Sequence, residues 1–253
     1  MSDRQFGISA KCLALRQVVQ EDGSESLSTA ERRAREKAQR RQEILDAARQ
    51  EFLERGVGRP TMDDIASRAE VSKGTIYLYF KSKEEILAHL LLEGLDLLLL
   101  RMKAAVDANP QYHPADALRA LANAYRGFCT SSPLYFRLIM GLDRGRFEES
   151  IPRRLHQQVL KKSLQGLELV AEQVRRGAQT GAFRTEDPWR SAGSVWAAIN
   201  GVLVLMAHPM RQRMLRSSAG GIFEATVDLV LKGLGDGMVE PGMESESTKE
   251  ANA

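Results

Sequence analysis

The sequence predicts an all-α protein of about nine helices. Apolar residues recur at helical spacing along most of the chain, and residues that cap helices precede the periodic segments. Neither strand-like alternation nor an Asn-Gly hairpin separates the apolar runs. The chain has 253 residues, of which 43% are hydrophobic and 27% charged, an ordinary composition for one or two packed globular units.

The first predicted helix covers about residues 36–55. Within it Ile44, Ala48 and Phe52 recur at every fourth position and form one apolar face. Gly56 follows as a stop signal, so the helix is expected to end there.

Hydroxyl side chains mark the starts of the next three helices. Thr61 is followed by an acid three residues later and caps a short second helix, whereas Ser72 caps a third helix of about two turns. Ser82 and Glu85 form a capping box for a fourth helix, which is predicted to run to about Val106.

Five more helices are predicted beyond the break at residues 109–114. The Ser-Pro pair at 132–133 and the Asp-Pro pair at 187–188 have the N-cap and N1 pattern that begins a helix. Pro209 is expected to stop the eighth helix. The five helices are predicted over residues 115–128, from 132 onwards, about 151–179, about 187–207 and about 220–234.

Positive charge is concentrated in one short block. The whole chain carries a net charge of only +3, but residues 31–83 hold 13 Lys and Arg against 9 Asp and Glu, and residues 72–83 hold no acid. The basic residues that open this block are either an arm that contacts phosphates or a solvated helix start, because acids alternate with them. They are Arg32, Arg33, Arg35, Lys37, Arg40 and Arg41.

The second and third predicted helices, separated by residues 69–71, have the proportions of a helix-turn-helix. Ile76 and Phe80 lie four positions apart in the third helix and share one face, which can pack on the core. The remaining positions of that helix are therefore free to face outward.

These outward positions suit a polyanion. The helix N-terminus offers unpaired N–H groups, and Gly74 lets another backbone approach closely. Lys73 can reach a phosphate or a guanine edge, while Thr75 and Tyr77 offer hydroxyls to phosphate and apolar surface to a thymine methyl. Each residue alone fits ordinary packing or a solvated surface, but their joint occurrence between two capped helices favours DNA binding.

Residues 40–87 resemble the N-terminal domain of TetR-type transcriptional regulators. The segments TMDDIASRA, VSKGTIYLYF and SKEEIL follow one another with the family's order and spacing. Glu70 departs from the family, which often has glycine in this turn. By position, the resemblance implies DNA contacts from Thr61, Ser72, Lys73, Gly74, Thr75, Tyr77, Tyr79 and Lys83.

The resemblance also implies a function and a domain organisation. It implies a sequence-specific regulator, more often a repressor, that binds a palindromic operator as a homodimer and is released by a small, largely apolar effector. Effector binding would move the long fourth helix and change the distance between the two recognition helices. The expected parts are a flexible extension over 1–30, a helix-turn-helix domain over 31–83, an effector-binding and dimerisation domain over 84–237, and a disordered tail over 238–253.

The last two predicted helices have the composition of a dimer interface. Ala197, Ala198 and Gly201 permit close helix approach, and Phe223 and Val227 add apolar surface at helical spacing. The alternative is that both helices close the monomer core. The dimer is favoured because a two-fold protein matches the half-site geometry of a helix-turn-helix.

An effector pocket is predicted among the middle helices, from aromatic and apolar residues with a few polar tips. Taken singly, each candidate fits ordinary core packing, although Asn200 in an apolar run needs a polar partner, in the ligand or across a dimer. The candidates are Tyr125, Phe128, Phe136, Met140, Trp196 and Asn200, with Cys129 and Tyr135 beside them.

Other classes of site find little support in the sequence. Cys12 and Cys129 are far apart and form no CxxC, and the four histidines are scattered, so we predict neither a disulfide scaffold nor a metal site. No catalytic triad, phosphate loop or Rossmann glycine pattern occurs, and we therefore predict no cofactor and no enzyme. No run of about 18 apolar residues occurs, which predicts a cytoplasmic protein without a membrane partner. The competing hypothesis is a ligand-independent architectural DNA-binding protein, which would lack a cavity near Tyr125 and Trp196.

Overall fold

The computed structural model describes residues 28–141 and 151–236, and within these ranges the chain forms ten α-helices and no strand. The predicted all-α fold is thereby confirmed. Most of the predicted N-terminal extension and all of the predicted tail lie outside the described residues. The helices are α1 Thr29–Arg55, α2 Met62–Arg68, α3 Lys73–Tyr79, α4 Lys83–Asp107, α5 Pro114–Ser131, α6 Pro133–Gly141, α7 Arg153–Gln179, α8 Pro188–Met206, α9 Pro209–Leu215 and α10 Ala219–Asp236.

Helix α1 begins earlier than its apolar periodicity predicted. The Ser28 hydroxyl accepts a hydrogen bond from the Glu31 N–H at 3.3 Å, and the Ser28 N–H donates to the Glu31 carboxylate at 2.8 Å. This capping box starts the helix seven residues before the predicted position, in a segment with no apolar face. The chain divides into two compact units, one ending at Glu43 and the other beginning at Ile44.

The first apolar cluster of the second unit lies beneath the helix-turn-helix. Ile76 and Phe80 are fully buried there against Ile44, Phe52 and Ile65, as predicted. The first half of α4 and parts of α6 and α7 complete the cluster. Helices α2 and α3 therefore rest on the same apolar residues as α4.

A second apolar cluster joins the rest of α4 to α5, α7, α8 and α10. Helix α4 contributes buried leucines to both clusters, and Tyr135 and Ile139 of α6 pack against both. The long helix thus runs from the core of the helix-turn-helix into the second apolar cluster.

Helix α9 corrects one prediction. Pro209 follows the end of α8, as expected, but it also occupies the first turn of a further short helix that was not predicted. The His208 imidazole accepts a hydrogen bond from the Met210 N–H at 3.3 Å, and the Gln212 side chain donates to the Met206 carbonyl at 2.7 Å. Among the described residues, no single helix is both long enough and apolar enough to span a membrane. The helices α8 and α9, which are bent by 105° relative to each other, meet these two criteria only when they are counted as one segment.

Candidate nucleic-acid interface and ligand cavity

A buried carboxylate fixes α2 against α1. The Glu51 side chain accepts hydrogen bonds from Arg68 at 2.7 Å and from Arg55 at 3.1 Å. The hydrogen bond from Arg68 and that from Arg55 lower the pKa of Glu51 despite its burial. At the start of α2, Thr61 and Asp64 form a reciprocal capping box, so the Thr61 hydroxyl is held at the helix end.

The turn between α2 and α3 explains why glycine suits position 70. The Val71 N–H donates to the Ala66 carbonyl at 3.0 Å and the Glu70 N–H donates to the Ser67 carbonyl at 3.2 Å, the two bonds of a Schellman motif. This motif places Glu70 in the left-handed region with a φ of 53°. Glycine adopts that conformation without steric cost, whereas glutamate does not. The Glu70 side chain is exposed.

Helix α3 presents its outer face to solvent. Ile76 is buried, whereas Tyr77 is 38% exposed and Leu78 is 74% exposed. A Cβ atom added to Gly74 would meet only the Ser72 hydroxyl, at 3.8 Å, so the fold itself leaves space for a larger residue there. The absence of a side chain at Gly74 therefore fits a demand from outside the protein, as close approach of DNA would impose.

The polar groups of this face are held by local bonds that DNA can replace. The Ser72 hydroxyl accepts from the Thr75 N–H at 3.1 Å and lies 2.8 Å from the Thr75 hydroxyl. The Lys73 ammonium donates to Asp63 at 2.8 Å, and Lys83 donates to the Gly58 carbonyl at 3.2 Å. These are exposed contacts, which cost little to exchange for phosphate oxygens.

Most of the predicted DNA-binding residues are exposed, whereas three are only partly exposed. The exposed ones are Thr61, Ser72, Lys73, Gly74 and Tyr77, and the partly exposed ones are Thr75, Tyr79 and Lys83. Tyr79 is only partly exposed and packs against the first apolar cluster. Leu78 is not among the residues that the sequence predicted to contact DNA. Its exposure in the middle of α3 offers apolar surface to a thymine methyl group.

The comparison with known families agrees with this geometry. A family model described as "Bacterial regulatory proteins, tetR family" matches residues 44–90, which span the end of α1, all of α2 and α3, and the start of α4. Residues 44–90 therefore form a TetR-family DNA-binding domain.

Two curated TetR-family relatives extend the likeness beyond the helix-turn-helix. The HTH-type transcriptional repressor KstR2 of Mycobacterium tuberculosis is 29% identical over 147 residues, covering 58% of this chain and 70% of the relative. The HTH-type transcriptional regulator TtgR of Pseudomonas putida is 28% identical over 186 residues, covering 68% of this chain and 82% of the relative. This TetR-family protein is therefore a DNA-binding transcriptional regulator and not an enzyme, as predicted.

The C-terminal helices also follow the TetR-family fold. The crystal structure of the transcriptional regulator FadR from Bacillus subtilis, in complex with stearoyl-CoA, superposes with a TM-score of 0.59 at 21% identity. The match covers 76% of this chain and 98% of that one. The fold of the helical domain is thus shared.

A cavity of about 230 Å³ lies between α4, α5, α7 and α8 of this TetR-family chain. Its walls are mostly aliphatic, and they include two of the predicted pocket residues, Tyr125 and Trp196. Tyr125 is buried, whereas Trp196 is 50% exposed. The lining also includes Leu99, Met102, Ile139, Lys162, Ser163, Leu164, Val170 and Ile199.

Asn200 is satisfied within the protein. Its side-chain carbonyl accepts a hydrogen bond from the buried Tyr125 hydroxyl at 2.7 Å, and its amide donates to the Trp196 carbonyl at 2.9 Å. Burial raises the pKa of Tyr125, so this hydroxyl stays protonated and donates. Burial likewise raises the pKa of the Cys129 thiol to about 12. Asn200 positions Tyr125 in the cavity wall and is not itself among the lining residues.

The other predicted pocket residues lie elsewhere. Phe128 is fully buried in the second apolar cluster. The Phe136 ring makes an edge contact with Tyr125, at 6.3 Å between ring centroids, and with Met140 it lines a separate depression that also includes Val204. None of these three residues is therefore among those that line the cavity.

A polar network joins the DNA-binding motif to the helices around the cavity. The Arg49 guanidinium on α1 donates to the Tyr135 hydroxyl on α6 at 2.8 Å and to the Glu93 carboxylate on α4 at 2.6 Å. The Tyr135 hydroxyl also donates to Glu93 at 3.2 Å. A Cβ atom added to Gly94 would lie 2.8 Å from the Tyr135 Cβ, so the glycine is what lets α6 pack this closely on α4.

Proposed function

We propose that this regulator is a homodimeric repressor that binds a palindromic operator through α3 and leaves it when a small, largely apolar effector fills the cavity. The repressor would act in the cytoplasm, where bacterial DNA lies. The observation that carries the proposal is the course of α4. Its first half packs under the DNA-binding motif, and its second half forms a wall of the cavity.

The cavity favours an effector-controlled regulator over an architectural DNA-binding protein. An architectural protein has no use for an apolar cavity, which leaves side chains without packing partners and so reduces stability. A ligand that prefers one position of α4 would shift the population between binding and non-binding states. Such a ligand would change DNA affinity without touching DNA.

The chemistry of the walls supports an aliphatic effector. Leucine, isoleucine and valine predominate, and the volume of about 230 Å³ lies below the range of about 300–1,000 Å³ typical of ligand sites. A slender chain therefore fits more readily than a fused ring system. The stearoyl-CoA complex of the FadR neighbour points in the same direction, toward an acyl chain.

The proposed dimer uses the outer faces of α8 and α10. Phe223 and Val227, which the sequence assigned to either a dimer or a core, are buried within the monomer, as is Val195. The exposed apolar stripe of α8 consists instead of Trp196, Ala197, Gly201, Val204 and Leu205. On α10, Leu229 is 71% exposed. Monomeric proteins rarely leave such contiguous apolar surface in water, which supports burial against a second copy.

Selection of bound duplexes from a random DNA pool tests the DNA-binding part of this proposal. We expect a palindrome whose half-sites are about one helical turn, or a multiple of it, apart. Lys73→Ala and Tyr77→Ala should each weaken binding to the selected site by about 1–3 kcal/mol. Lys103→Ala, which removes an exposed lysine from α4, is the matched control and should bind normally. An asymmetric or random selected pool would contradict the proposal.

A further inference from the structure

One charged side chain reaches the apolar cavity. Among the described residues that line it, Lys162 of α7 is the only charged one, and the neutral polar side chains are those of Ser163, Tyr125 and Trp196. A lysine ammonium in such a setting needs an anion nearby, because burial beside apolar walls disfavours an unpaired charge.

The anion that Lys162 now holds comes from the other side of the cavity. The Lys162 ammonium forms an ion pair with Asp96 of α4. The Lys162 side chain is 28% exposed and that of Asp96 is 60% exposed, so the pair lies at the solvent edge of the cavity. Tyr125, Val170 and Ile199 are buried and form its interior. The cavity is therefore apolar inside and cationic at its rim.

We propose that Lys162 binds the anionic head group of an amphipathic effector whose aliphatic chain occupies the cavity, and that this head group displaces Asp96. The inference rests on the proposed function and names its ligand class. A carboxylate or a phosphate would make the same charge-assisted contact with the ammonium. Free acids and acyl thioesters of coenzyme A both supply such an anion, and the experiment separates them.

Displacement of Asp96 from Lys162 would also let the ligand act on α4. The Lys162–Asp96 ion pair links α4 to α7 at the cavity edge. Once the head group takes the place of Asp96, that link is lost while the chain fills the space between the same two helices. The ligand then changes the restraint on the helix that carries the DNA-binding motif.

Three twelve-carbon probes test the inference in the full-length protein: dodecanoate, dodecanoyl-CoA and the neutral dodecan-1-ol. Calorimetry gives the dissociation constant of each. We expect Lys162→Gln to weaken binding of at least one anionic probe by about tenfold or more, the scale of a charge-assisted hydrogen bond, and to leave the alcohol unchanged. The anionic probe that loses affinity identifies the source of the head group.

We expect Asp96→Asn to change the affinity for the anionic probe in the opposite direction. It removes the carboxylate that competes for Lys162, so the same anionic probe should bind several-fold more tightly. A purely structural ion pair predicts that both variants weaken binding of every probe alike. Lys161→Gln, one residue away and exposed, is the matched control and should bind all three probes as the wild type does.

The outcomes separate this inference from the proposed function. If the probes bind and release DNA but Lys162→Gln affects acid, thioester and alcohol equally, or Asp96→Asn weakens anion binding, the head-group site is wrong and the effector function stands. If no probe binds the wild-type protein, both are overturned.

Discussion

At the scale of single residues, Glu51 shows how charge supports the DNA-binding motif. Its carboxylate is buried between α1 and α2 and is shared by Arg68 and Arg55. Removing one partner of such a group leaves a buried charge without its counterion. This loss destabilises a protein more than the loss of an exposed ion pair does. The packing of α2 on α1 therefore depends on Glu51 being ionised.

We predict that the protein loses stability at acid pH because the Glu51 carboxylate becomes protonated. Hydrogen bonds from Arg68 and Arg55 lower its pKa in the folded protein. The stabilisation is therefore fully present above the unfolded value of about 4.3 and is lost as pH falls through the lower folded pKa. Chemical denaturation at pH 7 and pH 3 should show this decline, and Glu51→Gln should be less stable at pH 7 and flatter in its pH dependence. An unchanged slope in the variant would assign the acid sensitivity to other carboxylates.

At the scale of helices, the contact between α1, α4 and α6 offers a route from the cavity to the DNA-binding motif. Tyr135 hydrogen-bonds Arg49 and Glu93 and packs against both apolar clusters, and Ile139 one turn later lines the cavity. A ligand that presses on Ile139 therefore acts on the helix that holds Tyr135. The network has defined hydrogen bonds that a single substitution can remove.

Tyr135→Phe tests this coupling. The ring and its packing remain, while the hydrogen bonds to Arg49 and Glu93 are lost at a cost of about 1 kcal/mol. We expect effector affinity in the absence of DNA to change little, and the ratio of operator affinities without and with effector to fall several-fold toward one. Fluorescence anisotropy with labelled operator measures that ratio. Tyr112→Phe, between α4 and α5, should keep the wild-type ratio, and an unchanged ratio in Tyr135→Phe would remove the network from the mechanism.

The sequence predicted helices wherever an apolar face or a cap made the start visible. It predicted α2 to α4 from their serine and threonine caps, and it predicted the burial of Ile76 and Phe80 from their spacing. It failed where the determinant was local: a capping box without an apolar face at Ser28, and a proline that begins α9 as well as ending α8. The route from Arg49 to Tyr135 joins residues 86 positions apart, and no local pattern signals such a contact.

At the scale of the whole molecule, the proposed binding to a palindromic operator requires two copies of the chain. A palindromic operator presents two half-sites, and a two-fold dimer engages both with one recognition helix from each subunit. Helices α8 and α10 carry the exposed apolar surface proposed for this contact. The small residues Ala197 and Gly201 on that surface allow two helices to approach closely.

Gly201→Glu should convert the dimer to a monomer. A Cβ atom at Gly201 meets nothing within 4 Å in the monomer, so the change leaves the fold intact and places a charge in the proposed interface. Light scattering during size exclusion should show half the wild-type mass, with unchanged helicity. Gly127→Glu on α5, equally open, is the control and should remain dimeric. A dimeric Gly201→Glu protein would place the interface elsewhere.

The most direct test of the central claim, that the first turn of α3 lies against DNA, is the operator affinity of Gly74→Ala. Alanine fits the open space at this position and favours a helix, so stability should rise by up to about 1 kcal/mol. Operator binding should nevertheless weaken, by about 1–3 kcal/mol, if a phosphate backbone occupies that space. Gly127→Ala should gain similar stability and bind DNA normally. A Gly74→Ala protein that is more stable and binds the operator as tightly as the wild type would contradict the account.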